Sequence, residues 1–347
     1  DDLPLQEWLN EQVFPNEAKL KGEEAYLFAK IAIMEYLTSG ITSAFDMYIY
    51  PKEVIQACVD CGFRIVQVSG LNNFTSSLEE LEEQYVTYND YHELCSYKLG
   101  FHAEYTTDKK LLEGLAGLSE KYHAPVYTHN SETKREVEEC RQRYGKSPTQ
   151  LFEEMGLYRY GGGGYHCIWF DDEDIDIFAK RNLSVVTNPA SNLKLASGIA
   201  PLKKMQEAGI NLAIGTDGPA SNNCLDMFRE MFLVTGLAKL REHDAAVMDA
   251  NDVLYMATTG GAKAMGLSDC DCLAVGKKAD LFLMDLMQPN MQPEHNLTKN
   301  LVYSGSKQNV KLTMVNGKIL YEDGQFFISE EPQEIYKKAN EIVSRMK

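Results

Sequence analysis

Three short segments of the chain contain side chains that bind divalent metals or move protons. His129 is followed three residues later by Glu132, His166 follows a run of glycines, and Asp217 belongs to a Gly-Thr-Asp-Gly turn. Imidazole nitrogens and carboxylate oxygens are ligands of Zn²⁺ and Fe²⁺, and a nearby glutamate can move protons to and from a water molecule that the metal activates. Each segment alone is a weak signal. Together, and each in or beside an apolar β-type run, they predict one hydrolase site.

Each of these residues also has a plainer interpretation. Either histidine could be a buried polar side chain that is satisfied by its neighbours. Glu132 could be the acidic residue in the first turn of a helix, and Asp217 could be a helix N-cap. His102 ends another predicted strand and is a candidate substrate contact. The remaining histidines are expected to be structural or at the surface: His92, His123, His243 and His295.

Apolar, β-branched runs alternate with amphipathic helical patterns, which predicts an α/β fold with a parallel sheet. The predicted strands cover residues 41–48, 63–68, 98–102, 125–129, 164–169, 184–188 and 211–216. Seven strand–helix units are one short of a TIM-like (β/α)₈ barrel, in which the carboxyl ends of the strands form the active face. Because the chain opens with Asp1 rather than Met, we expect the absent first strand to lie upstream.

The pattern changes after residue 268, where antiparallel strands are predicted. Residues 279–285, 311–315 and 318–321 have strand patterns, and Asn316-Gly317 is a typical hairpin turn. The predicted organisation is therefore a barrel over residues 1–268 without its first strand, the C-terminal part of a composite β-sandwich over 269–330, and a charged helix over 331–347.

Four consecutive glycines, residues 161–164, resemble a phosphate-binding loop. Such a loop follows a strand and precedes a helix. These glycines instead precede a predicted strand, on the rim opposite the active face. We therefore interpret them as a flexible turn between a helix and a strand.

Composition excludes several classes of protein. Hydrophobic residues make up 44% of the chain, enough for a folded core, and the formal net charge is −17. This acidity, without a basic stripe, argues against a nucleic-acid partner. With no apolar run of about 18 residues and no secretory leader, we expect a cytoplasmic protein without a membrane partner. The eight cysteines lack paired Cys-x-x-Cys spacing, so reduced thiols are expected.

Several longer stretches occur in a combination that is highly specific. They are Asp2-Leu-Pro-Leu, His129-x-x-Glu-Thr-Lys-x-Glu-Val, Asn188-Pro-Ala-Ser-Asn-Leu-Lys-Leu-Ala-Ser-Gly, Gly215-Thr-Asp-Gly-x-Ala-Ser-Asn-Asn, Gly276-Lys-Lys-Ala-Asp-Leu and Met314-Val-Asn-Gly. Across essentially the whole chain they resemble the amidohydrolase superfamily, in its branch of aromatic deaminases and chlorohydrolases. The strongest resemblance is to the 5-methylthioadenosine/S-adenosylhomocysteine deaminases.

The resemblance implies a role for each matching residue. His129 and Asp217 would be ligands of one Zn²⁺ per subunit, with Fe²⁺ as the alternative. His166 would hold the attacking hydroxide or the product oxygen, Glu132 would move protons, and Asp217 would also accept a proton from the attacking water. The substrate pocket would be lined by His102, Asn188 and Ser221.

This sequence departs from the family pattern in two ways. The His-x-His pair that supplies two further metal ligands is absent, and we expect it upstream of Asp1 together with the first strand. In relatives that deaminate S-adenosylhomocysteine an arginine tends to stand where this chain has Ser69, and many relatives have histidine where it has Thr187. The second departure weakens the prediction of the substrate and not that of the superfamily.

The implied activity is metal-dependent hydrolytic deamination of an aminated aromatic heterocycle. An adenosine-type purine such as 5-methylthioadenosine or S-adenosylhomocysteine is the first candidate, and ammonia is the product. The alternatives are a triazine-type chlorohydrolase or aminohydrolase, a guanine or pterin deaminase, and an inactive truncated homologue. The expected partners are a small aromatic amine and further copies of the chain in a homo-oligomer.

Overall fold

The main element of the computed structural model, which describes residues 2–346, is a seven-stranded parallel sheet. Each strand pairs with the next one along the chain. The strands are β1 (Ser43–Asp46), β2 (Arg64–Val68), β3 (Cys95–Phe101), β4 (Val126–Asn130), β5 (Gly162–His166), β6 (Ser184–Thr187) and β7 (Asn211–Ile214). Among the described residues no ladder joins β7 to β1. This arrangement confirms the predicted α/β, TIM-like fold that lacks one strand.

Helices connect the strands. They span Leu5–Trp8, Phe14–Glu17, Gly22–Thr38, Pro51–Cys61, Leu78–Asn89, Lys109–Tyr122, Lys134–Tyr144, Pro148–Glu154, Asp172–Arg181, Pro189–Lys194, Leu202–Glu207, Pro219–Asn222, Met227–Glu242, Ala250–Tyr255, Gly261–Met265, Leu297–Tyr303 and Pro332–Met346. Many begin at a side chain that accepts an otherwise unpaired backbone N–H, such as Ser77, Asp108 and Thr133. Within residues 2–346, no helix is long and apolar enough to span a membrane.

The two faces of the sheet bury different sets of side chains. Because successive strand residues point to opposite faces, Tyr127, Val186 and Ala213 pack together in one cluster inside the sheet. Their neighbours Val126, Val185 and Leu212 belong to the larger core shared with the helices. The inside layer therefore forms a floor beneath the carboxyl ends of the strands.

A second, antiparallel sheet lies beyond the parallel one in sequence. It contains β8 (Leu281–Met284), β9 (Val310–Val315), β10 (Lys318–Glu322) and β11 (Gln325–Phe326). Asn316 and Gly317, between β9 and β10, both have positive φ (50° and 77°), as the predicted two-residue hairpin requires. The short strand β11 was not predicted. The proposed division into domains remains a prediction.

The interpretation of the glycine run as a flexible turn is wrong. Gly162–Gly164 form the start of β5, which begins and ends earlier than the predicted strand 164–169. A Cβ atom on Gly162 would lie 1.9 Å from the Val126 carbonyl oxygen, and one on Gly163 would lie 2.4 Å from that of Ser184. The neighbouring strands approach so closely that β5 has no room for side chains there. Because β5 runs from Gly162 to His166, His166 is the last residue of its strand and does not lie within it as predicted.

Candidate active site

All seven residues that the sequence singled out for the site line one cavity of about 900 Å³. It lies where the parallel strands end and extends to the helices Leu5–Trp8 and Gly22–Thr38. The seven residues are His102, His129, Glu132, His166, Asn188, Asp217 and Ser221. Side chains on or just after β3, β4, β5, β6 and β7 therefore line the same cavity.

The strand register explains why most of these side chains face the cavity. His129 follows the inward-facing Tyr127 by two residues, and Asn188 follows Val186 by two. Asp217 follows Ala213 by four. Since side chains repeat every two residues along a strand, each of the three continues the inward row by one or two steps.

His166 does not follow that rule. Its neighbour Tyr165 belongs to the inside cluster, so a regular strand would turn His166 outward. Yet both residues line the cavity. The backbone at His166 and Cys167 has φ values of 67° and 51°, a left-handed conformation that costs non-glycine residues energy. This local distortion redirects the imidazole toward the other polar groups.

The tautomer of His129 is set by its neighbouring strand. His129 Nδ1 lies 2.8 Å from the main-chain oxygen of His102, which can only accept a hydrogen bond. Nδ1 therefore bears the proton, and Nε2 is left unprotonated. Burial, and next the proximity of His166, lower the pKa of His129, which keeps the ring neutral. A neutral imidazole with a free Nε2 is the form that binds a metal.

The tautomer of His166 is set in the same way by Asn192. His166 Nδ1 donates to Asn192 Oδ1 at 2.7 Å, while Asn188 Nδ2 lies 3.5 Å from His166 Nε2. Glu132 Oε2 is 3.7 Å from the same Nε2. With the proton on Nδ1, Nε2 is the ring nitrogen that faces the polar groups of the cavity.

Glu132 lies in an environment that favours its protonated form. Its residue exposure is 5%, and its Oε1 accepts a weak hydrogen bond from Ser197 Oγ at 3.3 Å. Burial, and then the charge of Asp217, raise the pKa of Glu132 to about 7. A carboxyl group with a pKa near neutrality can both give and take a proton during one reaction cycle.

Asp217 is held as a carboxylate. Burial opposes its ionisation, but the positive charge that His166 and His129 carry when protonated, together with the hydrogen bond from the Ser191 hydroxyl, outweighs burial, so the pKa lies below its ordinary value. Ser191 Oγ donates to Oδ2 at 2.5 Å, and the Gly218 N–H donates to Oδ1 at 2.7 Å. Its φ of 58° is left-handed. Two opposite environments thus separate the pKa values of Glu132 and Asp217, a pattern typical of acid–base pairs.

The candidate substrate contacts surround this centre. Burial, with the neighbouring His129, lowers the pKa of His102 to about 3, and His102 Nδ1 lies 2.9 Å from Thr106 Oγ1. Ser221 Oγ donates to the Gly218 carbonyl at 3.1 Å.

Ser69, where this chain differs from relatives that have arginine, is buried. Its Oγ donates a hydrogen bond to the Gly100 carbonyl and accepts one from the Gly100 N–H. Its side chain therefore ties β2 to the end of β3 and does not line the cavity with the described residues.

Sequence reasoning missed the side chains that orient the central ones. Asn192 holds His166, Ser191 holds Asp217, and both belong to the Asn188-Pro-Ala-Ser-Asn stretch that was used only as a family marker. Ser197 was likewise overlooked beside Glu132. Ser191 and Asn192 need partners because they are buried, and packing sets that burial, which the sequence does not reveal.

The two predicted metal ligands fit a divalent ion in chemistry but not in number. His129 offers an unprotonated nitrogen and Asp217 an ionised carboxylate, both suited to Zn²⁺. Within residues 2–346 there is no group of three or more His, Cys, Asp or Glu side chains that could hold a metal. Two further ligands would thus be needed, as the family resemblance implies.

Comparison with known proteins gives a consistent result. A 5-methylthioadenosine/S-adenosylhomocysteine deaminase of Dictyoglomus thermophilum is 37% identical over 353 residues, which cover 99% of this chain and 83% of the relative. A 5'-deoxyadenosine deaminase of Methanothermobacter thermautotrophicus is 37% identical over 338 residues, 95% of this chain and 79% of the relative.

Solved structures agree. The crystal structure of an adenosine deaminase from Xanthomonas campestris with bound zinc superimposes with a TM-score of 0.94 at 33% identity, covering 100% of this chain and 81% of that one. Atrazine chlorohydrolase from Arthrobacter aurescens gives a TM-score of 0.89 at 21% identity over 98% of this chain and 82% of its own, which shows a shared fold. The profile described as the amidohydrolase family matches residues 1–320. The chain therefore belongs to the amidohydrolase family and is a hydrolase that acts on C–N bonds.

Proposed function

We propose that the protein hydrolytically deaminates an adenosine-type nucleoside, replacing the ring amine with an oxygen from water and releasing ammonia. The observation that supports this most directly is the meeting of Glu132, His166 and Asp217 in one cavity, with opposite pKa shifts on the two carboxyl groups. Relatives at 37% identity are named for deamination of 5-methylthioadenosine, S-adenosylhomocysteine or 5'-deoxyadenosine.

We assign one Zn²⁺ per subunit to this cavity, with Fe²⁺ as the alternative. His129 Nε2 and the Asp217 carboxylate would hold it, and the family resemblance implies two further histidine ligands. When bound, such an ion would lower the pKa of a water molecule toward neutrality.

The chain's own groups would then divide the proton transfers among them. Asp217, which is ionised, accepts a proton from the attacking water. Glu132 in its protonated form donates a proton to the ring nitrogen as the water oxygen bonds to the ring carbon. Asp217 then passes the proton it accepted to the amine, which leaves as ammonia when the C–N bond breaks, and Glu132 takes back a proton from the new hydroxyl group as the C=O bond forms. His166 accepts a hydrogen bond at Nε2, because its Nδ1 proton is engaged by Asn192. It would therefore orient the attacking water through Nε2.

The cavity suits a nucleoside without an acidic tail. Apolar side chains such as Trp8, Leu9 and Phe45 line it, together with the acidic Glu17 and Asp46. The zwitterionic tail of S-adenosylhomocysteine needs a cation for its carboxylate, and Ser69, which bonds Gly100, supplies none. We therefore favour 5-methylthioadenosine or 5'-deoxyadenosine over S-adenosylhomocysteine. His102, Asn188 and Ser221 are the proposed contacts to the base and sugar.

The test is a substrate panel on the intact, Zn²⁺-loaded protein. Adenosine, 5'-deoxyadenosine, 5-methylthioadenosine, S-adenosylhomocysteine, guanine, a pterin and a chlorotriazine would be compared by ammonia and chloride release. We expect ammonia from the adenosine-type compounds, and a Glu132→Gln variant should show nearly none. Release of chloride without ammonia, or no release from any compound, would overturn the proposal.

We also propose a cellular compartment and an oligomeric state for the protein. All eight cysteines are free thiols, five of them buried, which supports a reducing compartment such as the cytoplasm. We also propose a homo-oligomer, which sedimentation of the intact protein would test.

A further inference from the structure

A second buried glutamate holds the loop that carries Glu132. Glu136 is 1% exposed, and both of its carboxylate oxygens accept hydrogen bonds from the main chain. Oε1 accepts from the N–H of Ser131 at 3.0 Å, and Oε2 accepts from the N–H of Glu132 itself at 2.8 Å. One side chain thus binds the N–H groups of two consecutive residues next to the cavity.

This contact extends beyond ordinary helix capping. Thr133 is the N-cap of the helix Lys134–Tyr144, and its Oγ1 accepts from the Glu136 N–H at 3.2 Å. In a capping box the acidic side chain three residues into the helix reaches back to the N-cap N–H. The Glu136 carboxylate extends past Thr133 to the two residues that precede it. Its partners are therefore the loop residues and not only the helix end.

The loop needs such support because its conformation is unfavourable. Ser131 has a left-handed φ of 52°, and its carbonyl oxygen accepts from the Trp169 N–H at 2.9 Å. A non-glycine residue keeps this conformation only where its surroundings enforce it. The Glu136 carboxylate on one side and the Trp169 N–H on the other supply that constraint.

We propose that Glu136 is a positioning residue, which fixes the main chain from which Glu132 reaches the reacting ring. This inference rests on the proposed role of Glu132 as the proton donor. Among the described residues that line the cavity, Glu132 is present and Glu136 is not, so Glu136 acts through its neighbour rather than on the substrate. Misplacement of a catalytic group by about 1 Å can cost on the order of 100-fold in rate.

The first test is Glu136→Gln in the intact, Zn²⁺-loaded protein. Glutamine keeps one acceptor oxygen and puts an NH₂ group against the other N–H. We expect kcat to fall about 10- to 100-fold with little change in KM, because substrate contacts lie elsewhere. The matched control is Glu138→Gln on the exposed side of the same helix, where Glu138 pairs with Lys134 at 3.2 Å. A variant of Glu136 with wild-type kcat would overturn the inference.

A double-mutant cycle separates positioning from general support. If Glu136 acts through Glu132, adding Glu136→Gln to a Glu132→Gln protein should lower kcat no further. A multiplicative loss in the double variant would show that Glu136 has only a structural role. Should Glu136→Gln not fold, Glu136→Asp, which keeps the carboxyl group but shortens its reach, takes its place in the same cycle.

Amide hydrogen exchange gives a readout that does not depend on turnover. The Ser131 and Glu132 amides should exchange at least about 10-fold faster in the Glu136 variant, since each loses or weakens its acceptor, while Zn²⁺ content stays unchanged. Unchanged exchange would show that the hydrogen bonds to Glu136 do not hold these two peptide groups. If wild-type protein released no ammonia from any nucleoside, the proposed function would fail. The exchange result would still decide whether Glu136 fixes the main chain at Ser131 and Glu132.

Discussion

The main-chain carbonyl of His102 accepts a hydrogen bond from His129 Nδ1 at 2.8 Å, and it also accepts from the His129 N–H at 3.1 Å. The two residues end adjacent parallel strands that pair Phe101 with Thr128. The register that builds the sheet therefore also decides which nitrogen of His129 bears the proton. The fold therefore holds His129 in the tautomer that the proposed metal-binding role requires.

The first prediction separates proton transfer from metal binding. In the intact protein, Glu132→Gln should lower kcat by roughly 100- to 10,000-fold and leave Zn²⁺ bound, because Glu132 is assigned to protons and not to the metal. Asp217→Ala should lose both activity and part of the metal. Elemental analysis beside the ammonia assay measures both. Equal loss of metal in the two variants would reverse the assignment.

The second prediction concerns Asn192, which is 2% exposed beside His166. Asn192→Ala would leave the His166 Nδ1 proton buried without an acceptor, which costs about 1–3 kcal/mol of stability and releases the ring to rotate. We expect kcat to fall about 10-fold or more. Asn192→Asp keeps an acceptor oxygen and serves as the control for lost volume. An alanine variant with unchanged kcat would show that His166 needs no such partner.

The common location of the site residues could be predicted because the carboxyl ends of parallel strands all lie on the same face of the barrel. Residues predicted at or just after those ends, such as His129 and Asp217, are therefore expected to lie close together. What could not be predicted were departures from regular geometry. His166 faces the cavity only because its backbone is left-handed, and strand periodicity gives no sign of that.

The glycine run shows a second limit. Glycine is usually a turn residue, so the run 161–164 predicts a flexible turn. In the structure the carbonyl oxygens of Val126 and Ser184 occupy the space where side chains would stand. Close approach between strands is a tertiary property, and sequence alone cannot distinguish it from flexibility. The partners Asn192 and Ser191 were missed for a related reason, since their burial is set by packing.

A third prediction follows from buried Glu230. Burial raises its pKa from the ordinary 4.5 to about 7, against the stabilising hydrogen bonds from the Ala190 N–H and Asn222. The folded state thus holds this proton more tightly than the unfolded state does, so stability should fall as pH rises from about 4.5 to about 7. Glu230→Gln should make the free energy of unfolding depend less on pH in this range, whether or not the substitution also changes the overall stability. Urea unfolding at several pH values measures it.

For that experiment, Glu242→Gln on the same helix is the matched control, because Glu242 lies near the helix end beside Arg241. It should leave the slope as in the wild type. If the Glu230 variant kept the full pH dependence of stability, other groups would be responsible.

The fourth prediction concerns the ion pair that joins the two sheets. Arg64, on β2, binds Asp280 through Nε–Oδ2 at 2.6 Å and Nη2–Oδ1 at 2.9 Å, with side-chain exposures of 4% and 2%. Asp280 Oδ1 also accepts from the Asn316 N–H at 2.7 Å, at the hairpin turn. Asp280→Ala would leave a buried guanidinium without its partner and should lower the free energy of unfolding by about 3–5 kcal/mol.

The exposed pair of Lys278 and Glu93 is the control, and Glu93→Ala should change that free energy little. Equal effects in the two variants would mean that burial of the Arg64 pair contributes nothing to holding the small sheet against the barrel.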